Sequence, residues 1–285
     1  MGYGAAMIDL AFPRAPVVAF ALAGSLALLL CLAPPVAGAR AADLTPHEAR
    51  YDLSLLEIKG ANTGSAGGVF LVRIAKTCAG WRLDTDLQAA IETEDQGEMR
   101  IANRSRYDET IADDGAGGTL AFRQRQEING RLFSETRGDA RRSATGGVVE
   151  FERPRGLTLD LPAGVQFPVS GALVSMRGLF DGERLVSQRL FDGGEEGAML
   201  VVDLAAGAPE APTGEIAGDA ELAQGRMLRA VTSFFPLAEP DSAPVYTYIG
   251  DLFENGVTGR MTLDLGLAVM EAELTAVRRL EPPGC

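Results

Sequence analysis

Period-two alternation of apolar and polar residues is what most narrows the folds open to this chain. Between Val269 and Val277, Met270, Ala272, Leu274 and Ala276 alternate with Glu271, Glu273 and Thr275. Successive side chains of a strand point to opposite faces, so this segment predicts a strand with one apolar and one solvated face. Leu157, Leu159 and Leu161 repeat the pattern, as do Met261, Leu263 and Leu265. Further strands are expected at 48–58, 68–76, 81–91, 99–108, 118–128, 131–140, 147–152, 184–191, 198–204, 226–235 and 245–254.

Turn signals separate these segments: Asp113-Asp114-Gly115, Asn129-Gly130, Gly146-Gly147, Asp192-Gly193-Gly194 and Asn255-Gly256. Asn-Gly supplies the positive φ angles of a type I′ turn, so 118–140 and 245–265 read as hairpins and neighbouring strands as antiparallel. One helix is expected over 169–181, capped by Ser170, with Leu173, Met176 and Phe180 on one face and an end near Gly182. The segment 205–223, rich in Ala, Gly, Pro and acids, reads as an exposed loop and a candidate boundary. The expected fold is mainly β: a single antiparallel β-spiral or barrel-like sheet with one short helix, forming one domain over residues 42–285.

Residues 1–41 read as a cleaved signal peptide. An uncharged stretch from Val17 to Ala33 follows Arg14, then Pro34 and Pro35 break any helix and Ala37-Gly38-Ala39 offers a cleavage site. Cleavage is expected after Ala39 or Ala41, which delivers a periplasmic protein. The apolar run is shorter than the roughly 20 residues of a spanning helix, so no stable membrane span is expected. Cys31 is preceded by Leu30 rather than a small residue and so does not read as a lipidation site. Export then leaves two cysteines, Cys78 and Cys285, and an even count in an exported chain points to a disulfide that ties down the C-terminus.

Loss of residues 1–41 removes Asp9, Arg14 and Arg40 and leaves 24 basic against 38 acidic residues, a net charge of −14. Such a surface repels nucleic acid and anionic headgroups. Nucleophile-elbow, phosphate-loop, dinucleotide-fold and C-x-x-C patterns are absent, and His47 is the single histidine. No catalytic triad has an evident base, and two cysteines with one histidine cannot complete a zinc site. Asp84 with Asp86 and Glu92 with Glu94 alternate along strands, the pattern of a solvated face rather than of a hydrolytic pair. Arg123 and Arg125 read the same way, facing acids of a neighbour. The expectation is a protein without catalytic residues, metal or cofactor. A curved sheet around one helix can also enclose an apolar pocket, for which Phe70, Trp81, Phe122, Phe133, Phe167 and Phe180 are candidate lining residues. The alternative is that these aromatics simply fill the core.

Several segments, taken in order, resemble the EipB-like cell-envelope integrity proteins of the alphaproteobacterial periplasm. They are His47-Glu48-Ala49-Arg50-Tyr51-Asp52-Leu53-Ser54-Leu55, Cys78-Ala79-Gly80-Trp81, and Leu161-Pro162-Ala163-Gly164-Val165-Gln166-Phe167-Pro168. The Phe191-Asp192-Gly193 turn, Glu254-Asn255-Gly256-Val257 and the terminal cysteine complete the set. The resemblance implies a β-spiral, a Cys78–Cys285 bridge and a non-enzymatic role in envelope integrity. It also implies a functional link to a periplasmic tetratricopeptide-repeat lipoprotein. One departure is Gly171, where a histidine is expected from the resemblance. A protein partner is the leading expectation, a lipid or another amphiphile the alternative, and a carboxylate hydrolase would need two acids converging in a pocket.

Overall fold

A computed structural model describes residues 42–285 except 60–63, 95–96 and 114. The expected signal peptide with Cys31, and Asp114 of the Asp113-Asp114-Gly115 turn, lie outside the described residues.

The first eight strands are β1 (His47–Ile58), β2 (Gly64–Lys76), β3 (Trp81–Thr93), β4 (Gly97–Ile111), β5 (Gly118–Ile128), β6 (Arg131–Ser143), β7 (Gly146–Arg153) and β8 (Thr158–Leu161). A short β9 (Val165–Gln166) leads into helix α1 (Pro168–Phe180). The chain continues through β10 (Leu185–Leu190), β11 (Met199–Ala205), β12 (Ala217–Gly218), β13 (Met227–Pro236), β14 (Tyr246–Phe253), β15 (Thr258–Asp264) and β16 (Ala268–Arg279). Fifteen of them form one continuous ladder, β8-β7-β6-β5-β4-β3-β2-β1-β16-β15-β14-β13-β11-β10-β9. Pairing is antiparallel except at β9–β10 and where β12 joins β16. The first and last strands therefore meet in the middle of the sheet, and the two free ends, β8 and β9, come from adjacent stretches of chain. This is the expected barrel-like sheet with one helix. The Cys78–Cys285 bridge is present, with the two Cα atoms 5.8 Å apart and 207 residues between them in sequence.

β1 and β16 carry the alternation that the sequence announces. Ala268, Met270, Ala272 and Leu274 point inward, against Ala49, Tyr51 and Leu53. The expected continuation to Ala276 does not hold, because Val277 is buried instead. Arg50 pairs with Ala276 and Tyr51 with Leu274, which leaves Thr275 as an extra residue in β16. Such a bulge reverses the inward phase of everything beyond it.

The two Asn-Gly turns differ. Asn129 and Gly130 both have positive φ, 52° and 74°, as the β5–β6 hairpin requires. At the β14–β15 turn only Gly256 does. Asn255 keeps an ordinary backbone, accepts the Val257 N–H at 3.0 Å and donates its amide to the Leu222 carbonyl at 2.8 Å. The segment 205–223 is only partly the free loop expected of it: β12 lies along β16, and Leu222 is buried in the core. The described residues of 42–285 form one compact unit with no boundary there.

The helix begins two residues before the expected cap. Ser170 is its third residue rather than its cap, and its Oγ accepts the Phe167 N–H at 3.0 Å. The N–H groups of the second and third helical residues are taken by a residue distant in sequence. Glu109 of β4 accepts from Val169 at 2.7 Å and from Ser170 at 3.0 Å. A carboxylate at a helix N-terminus satisfies orphan donors and complements the helix dipole. The C-terminus closes at Gly182 with φ 103°, and Glu183 N–H bonds the Gly178 carbonyl at 2.9 Å.

Candidate functional site

Helix α1 divides the barrel interior into a filled side and a hollow side. On the filled side, Leu173, Met176 and Phe180 pack on Ile74 and Trp81, as their spacing predicts, with Met176 and Ile74 at the border of the hollow. Beyond them, Phe191 touches Phe122, Phe151 and Phe167 edge to face, at centroid separations of 5.5, 6.4 and 6.5 Å. These rings close the barrel where β8 and β9 do not pair, with Arg142 of β6 donating to the Val165 carbonyl of β9 at 3.0 Å. Gly193 sits at φ 101°, and a Cβ there would lie 2.7 Å from Phe122, so only glycine lets the Phe191-Asp192-Gly193 turn press onto the ring.

On the other side, Pro168, Ala172 and Ser175 look into a hollow of about 270 Å³. Its wall is apolar over most of its extent, from Val72, Ile74 and Leu83 across to Val201, Leu252 and Met261. A second hollow of about 420 Å³ is lined by Phe70, Leu87, Ile101, Tyr246 and Leu263. Phe234, Tyr246 and Tyr248 stack in tilted contacts of 5.7 to 6.3 Å, and the group contributes to both linings.

One wall of the first hollow is polar. Asp203 of β11, Thr232 of β13 and Tyr248 of β14 stand directly opposite one another in adjacent strands. Asp203 is 4 % exposed, and its two oxygens accept the Ser175 hydroxyl at 2.5 Å and the Thr232 hydroxyl at 2.6 Å. Gln188 of β10 donates to Ser175 Oγ at 2.7 Å and to the Gly171 carbonyl at 3.1 Å. The order of donors is fixed, since a carbonyl can only accept: the Gln188 amide gives to Ser175, and Ser175 gives to Asp203. Tyr248, in contact with Thr232, is pushed above the usual phenol range by burial first and by the Asp203 charge second. His47 also lines the hollow. Its Nδ1 lies 2.7 Å from the Thr45 carbonyl, and burial holds its pKa below the ordinary value.

The six aromatics singled out in the sequence do not converge on this hollow. Phe70 lines the second one, beside Tyr51. Phe122 and Phe167 belong to the aromatic seam, and Trp81 and Phe180 to the core under the helix. Phe133 is 69 % exposed. It is the extra residue of a bulge in β6, and the inward positions of that strand are Thr136, Gly138 and Ala140. Gly171 is buried against β10, where a Cβ would lie 2.8 Å from Leu190 Cδ1 and 3.4 Å from Gln188 Oε1. A larger residue there would push aside the ends of the Leu190 and Gln188 side chains.

The acids of the outer face hold arginines. Asp84 accepts from Arg106 at 2.6 Å and Asp86 from Arg104 at 3.2 Å, while Arg123 reaches Glu135 at 2.8 Å. Arg125 bonds Glu127 of its own strand at 2.5 Å rather than a neighbour's acid. Glu92 and Glu94 are exposed. Among the described residues Asp203 is the only carboxylate of the first hollow's lining, so no second acid from them converges on it. Among the described residues no cluster of three metal-ligating side chains occurs, and no helix is long and apolar enough to cross a membrane.

A family model described as EipB-like matches residues 38–281. The cell envelope integrity protein EipB of Brucella abortus (strain 2308) is 26 % identical over 241 residues, spanning 83 % of this chain and 84 % of its own. A crystal structure of a β-barrel-like protein of a domain of unknown function from Brucella abortus superposes with a TM-score of 0.72 at 21 % identity, covering 85 % of this chain and all of that one. The likeness of that structure speaks to the fold.

Proposed function

Because the chain belongs to the EipB-like family, we propose that it supports cell-envelope integrity from the periplasm as a non-enzymatic binding protein that holds an amphiphile inside its barrel. The observation that carries this reading is the hollow beside α1, with apolar walls and polar groups gathered at one pole. Pockets that bind small molecules are largely apolar with a few placed polar groups, and this one fits that description. A well-filled core would have left no such space.

Native mass spectrometry of protein released gently from the periplasm tests the reading. Lipid-sized adducts are expected on the wild type and not on Ala172→Phe, which fills the hollow from the helix side. An adduct-free mass for the wild type under these conditions would refute it.

Export belongs to the same proposal. Ala42 and Leu44 are buried against the helix, so cleavage after Ala41 leaves the whole barrel intact. N-terminal sequencing should find Arg40 or Ala42 first, and an acylated Cys31 would overturn this.

A second reading, attachment to a tetratricopeptide-repeat lipoprotein, has its support in the family resemblance and in Leu132 and Phe133. These two apolar residues are exposed side by side next to the Asn129-Gly130 turn. Crosslinking from position 133 in the periplasm should capture that lipoprotein. Equal capture from position 185, another exposed apolar residue on a different strand, would remove the support.

A further inference from the structure

Asp203 is a buried carboxylate that faces the hollow without a cation. Among the described residues it makes no ion pair, and both of its oxygens are held by hydroxyl donors, Ser175 and Thr232. Accepting on both oxygens is the pattern of the ionised form. Two hydroxyls satisfy two of its roughly four acceptor positions and leave its charge uncompensated. Burying an unpaired charge is costly, and groups in that state are normally paired or bind an ion. The remaining polar capacity at this pole has the same sense. Both hydroxyl protons point to Asp203, and both amide protons of Gln188 are taken, one by Ser175 Oγ and one by the Gly171 carbonyl. Its Oε1 is buried with no hydrogen-bond partner.

The pole can therefore accept hydrogen bonds but has few to give. A carboxylate or phosphate head would meet a like charge there, whereas an ammonium would bring both the missing charge and the missing donors. We infer that the hollow selects amphiphiles by their head, and that the ligand class is an amine-bearing one whose primary ammonium sits against Asp203. The inference rests on the carrier reading above, and it adds the direction in which the ligand lies. With the head at Asp203, the chain runs past Phe234 and Tyr248 toward Tyr246, whose lining leads on to Phe70, Leu87 and Leu263. Aromatic faces on that path also suit an alkyl chain next to a cation.

The test uses three probes that share one chain: decylamine, decanol and decanoate, titrated calorimetrically into the mature protein at pH 7 and about 0.15 M salt, where exposed charges are largely screened. Decylamine is expected to bind best, then decanol, with decanoate at least about tenfold weaker than decylamine, the scale of one charged hydrogen bond. Asp203→Asn should bring amine and acid within about threefold of each other while decanol binding persists. Should that variant not fold, Gln188→Met, which leaves Asp203 in place and removes a neighbouring acceptor, should lower the amine preference by a smaller factor with little change for decanol. Decanoate binding as tightly as decylamine, or an undiminished amine preference in Asp203→Asn, would overturn the head-group inference and leave the carrier reading standing. Failure of all three probes to bind would sink the carrier reading itself.

Discussion

The two sides of helix α1 are built from the same kind of strand and end in opposite states. On one side, Phe122, Phe151, Phe167 and Phe191 fill the space between the unpaired ends of the sheet, and three of the four contacts around them are close to perpendicular. On the other, Ala172, Gly250 and Gly256 contribute almost no volume, and a hollow remains beside a row of hydroxyls around one carboxylate. The contrast teaches that the helix is both a plug and a partition. Its Leu173 and Phe180 edge completes a core, its Pro168, Ala172 and Ser175 edge leaves one incomplete, and Met176 borders both.

If the seam is structural and the hollow is not, substitutions on the two sides should differ sharply in their effect on stability. Phe191→Ala removes a fully buried ring and should cost about 3–5 kcal/mol, read as a lower midpoint in urea unfolding. A loss no greater than that of a hollow-side substitution would erase the comparison. Next in size is the bridge that pins the C-terminus. Cys78→Ser and Cys285→Ser should each cost about 2–4 kcal/mol, and the double variant should melt with the singles, because one bond accounts for both losses. Two free thiols in unreduced wild-type protein would show that the bond does not form in the cell.

Glu109 sharpens the comparison through pH. Its pKa is raised above the ordinary value, with burial the largest cause and hydrogen bonds from Ser170 and Val169 acting against it. A folded-state pKa above the unfolded one, about 4.3, means a stabilising share that is complete below about pH 4.3 and fades as pH rises through the elevated value. Chemical unfolding followed from pH 4 upward should thus show the wild type losing stability relative to Glu109→Gln, a difference in which the opposite contribution of His47, whose pKa burial lowers, cancels. Asp192, also raised by burial, contributes in the same sense and should keep part of the slope. Identical slopes for both proteins would remove Glu109 from the account.

The smallest effect belongs to the hollow. Ser175→Ala deletes one hydrogen bond to the buried Asp203 carboxylate and should cost about 1.5–3 kcal/mol in stability, visible as a shift in thermal unfolding. A loss on the scale of Phe191→Ala would mean that the polar row holds the barrel together rather than waiting for a ligand.

Much of this was open to a reader of the sequence, because strand alternation, turn chemistry and helix periodicity are local. The alternation around Met270, the Asn129-Gly130 hairpin and the apolar face of α1 depend on residues a few positions apart, and the structure places them as read. Parity likewise pairs Cys78 with Cys285 once Cys31 is set aside with the expected signal peptide. Even Phe133 and Ala276 were misplaced for a reason internal to the sheet: a bulge changes which face a residue presents, and a bulge is decided by the partner strand.

The site was not legible in the same way. Met199-Leu200-Val201-Val202-Asp203-Leu204 is apolar on both parities, so alternation cannot tell whether Asp203 faces water or the lumen. Glu109 reads as one more acid in a charged strand until α1 is brought onto it from 60 residues away. By itself the sequence determined most of the strands, the apolar face of the helix, the Asn129-Gly130 turn and the bridge, since each follows from neighbours along the chain or from a count. Only the closing of β1 onto β16 decided the rest. The β11–β13–β14 register aligns Asp203, Thr232 and Tyr248, and the curled sheet turns that row towards the space beside Ala172, because a cavity is a property of how distant surfaces fail to fill one another.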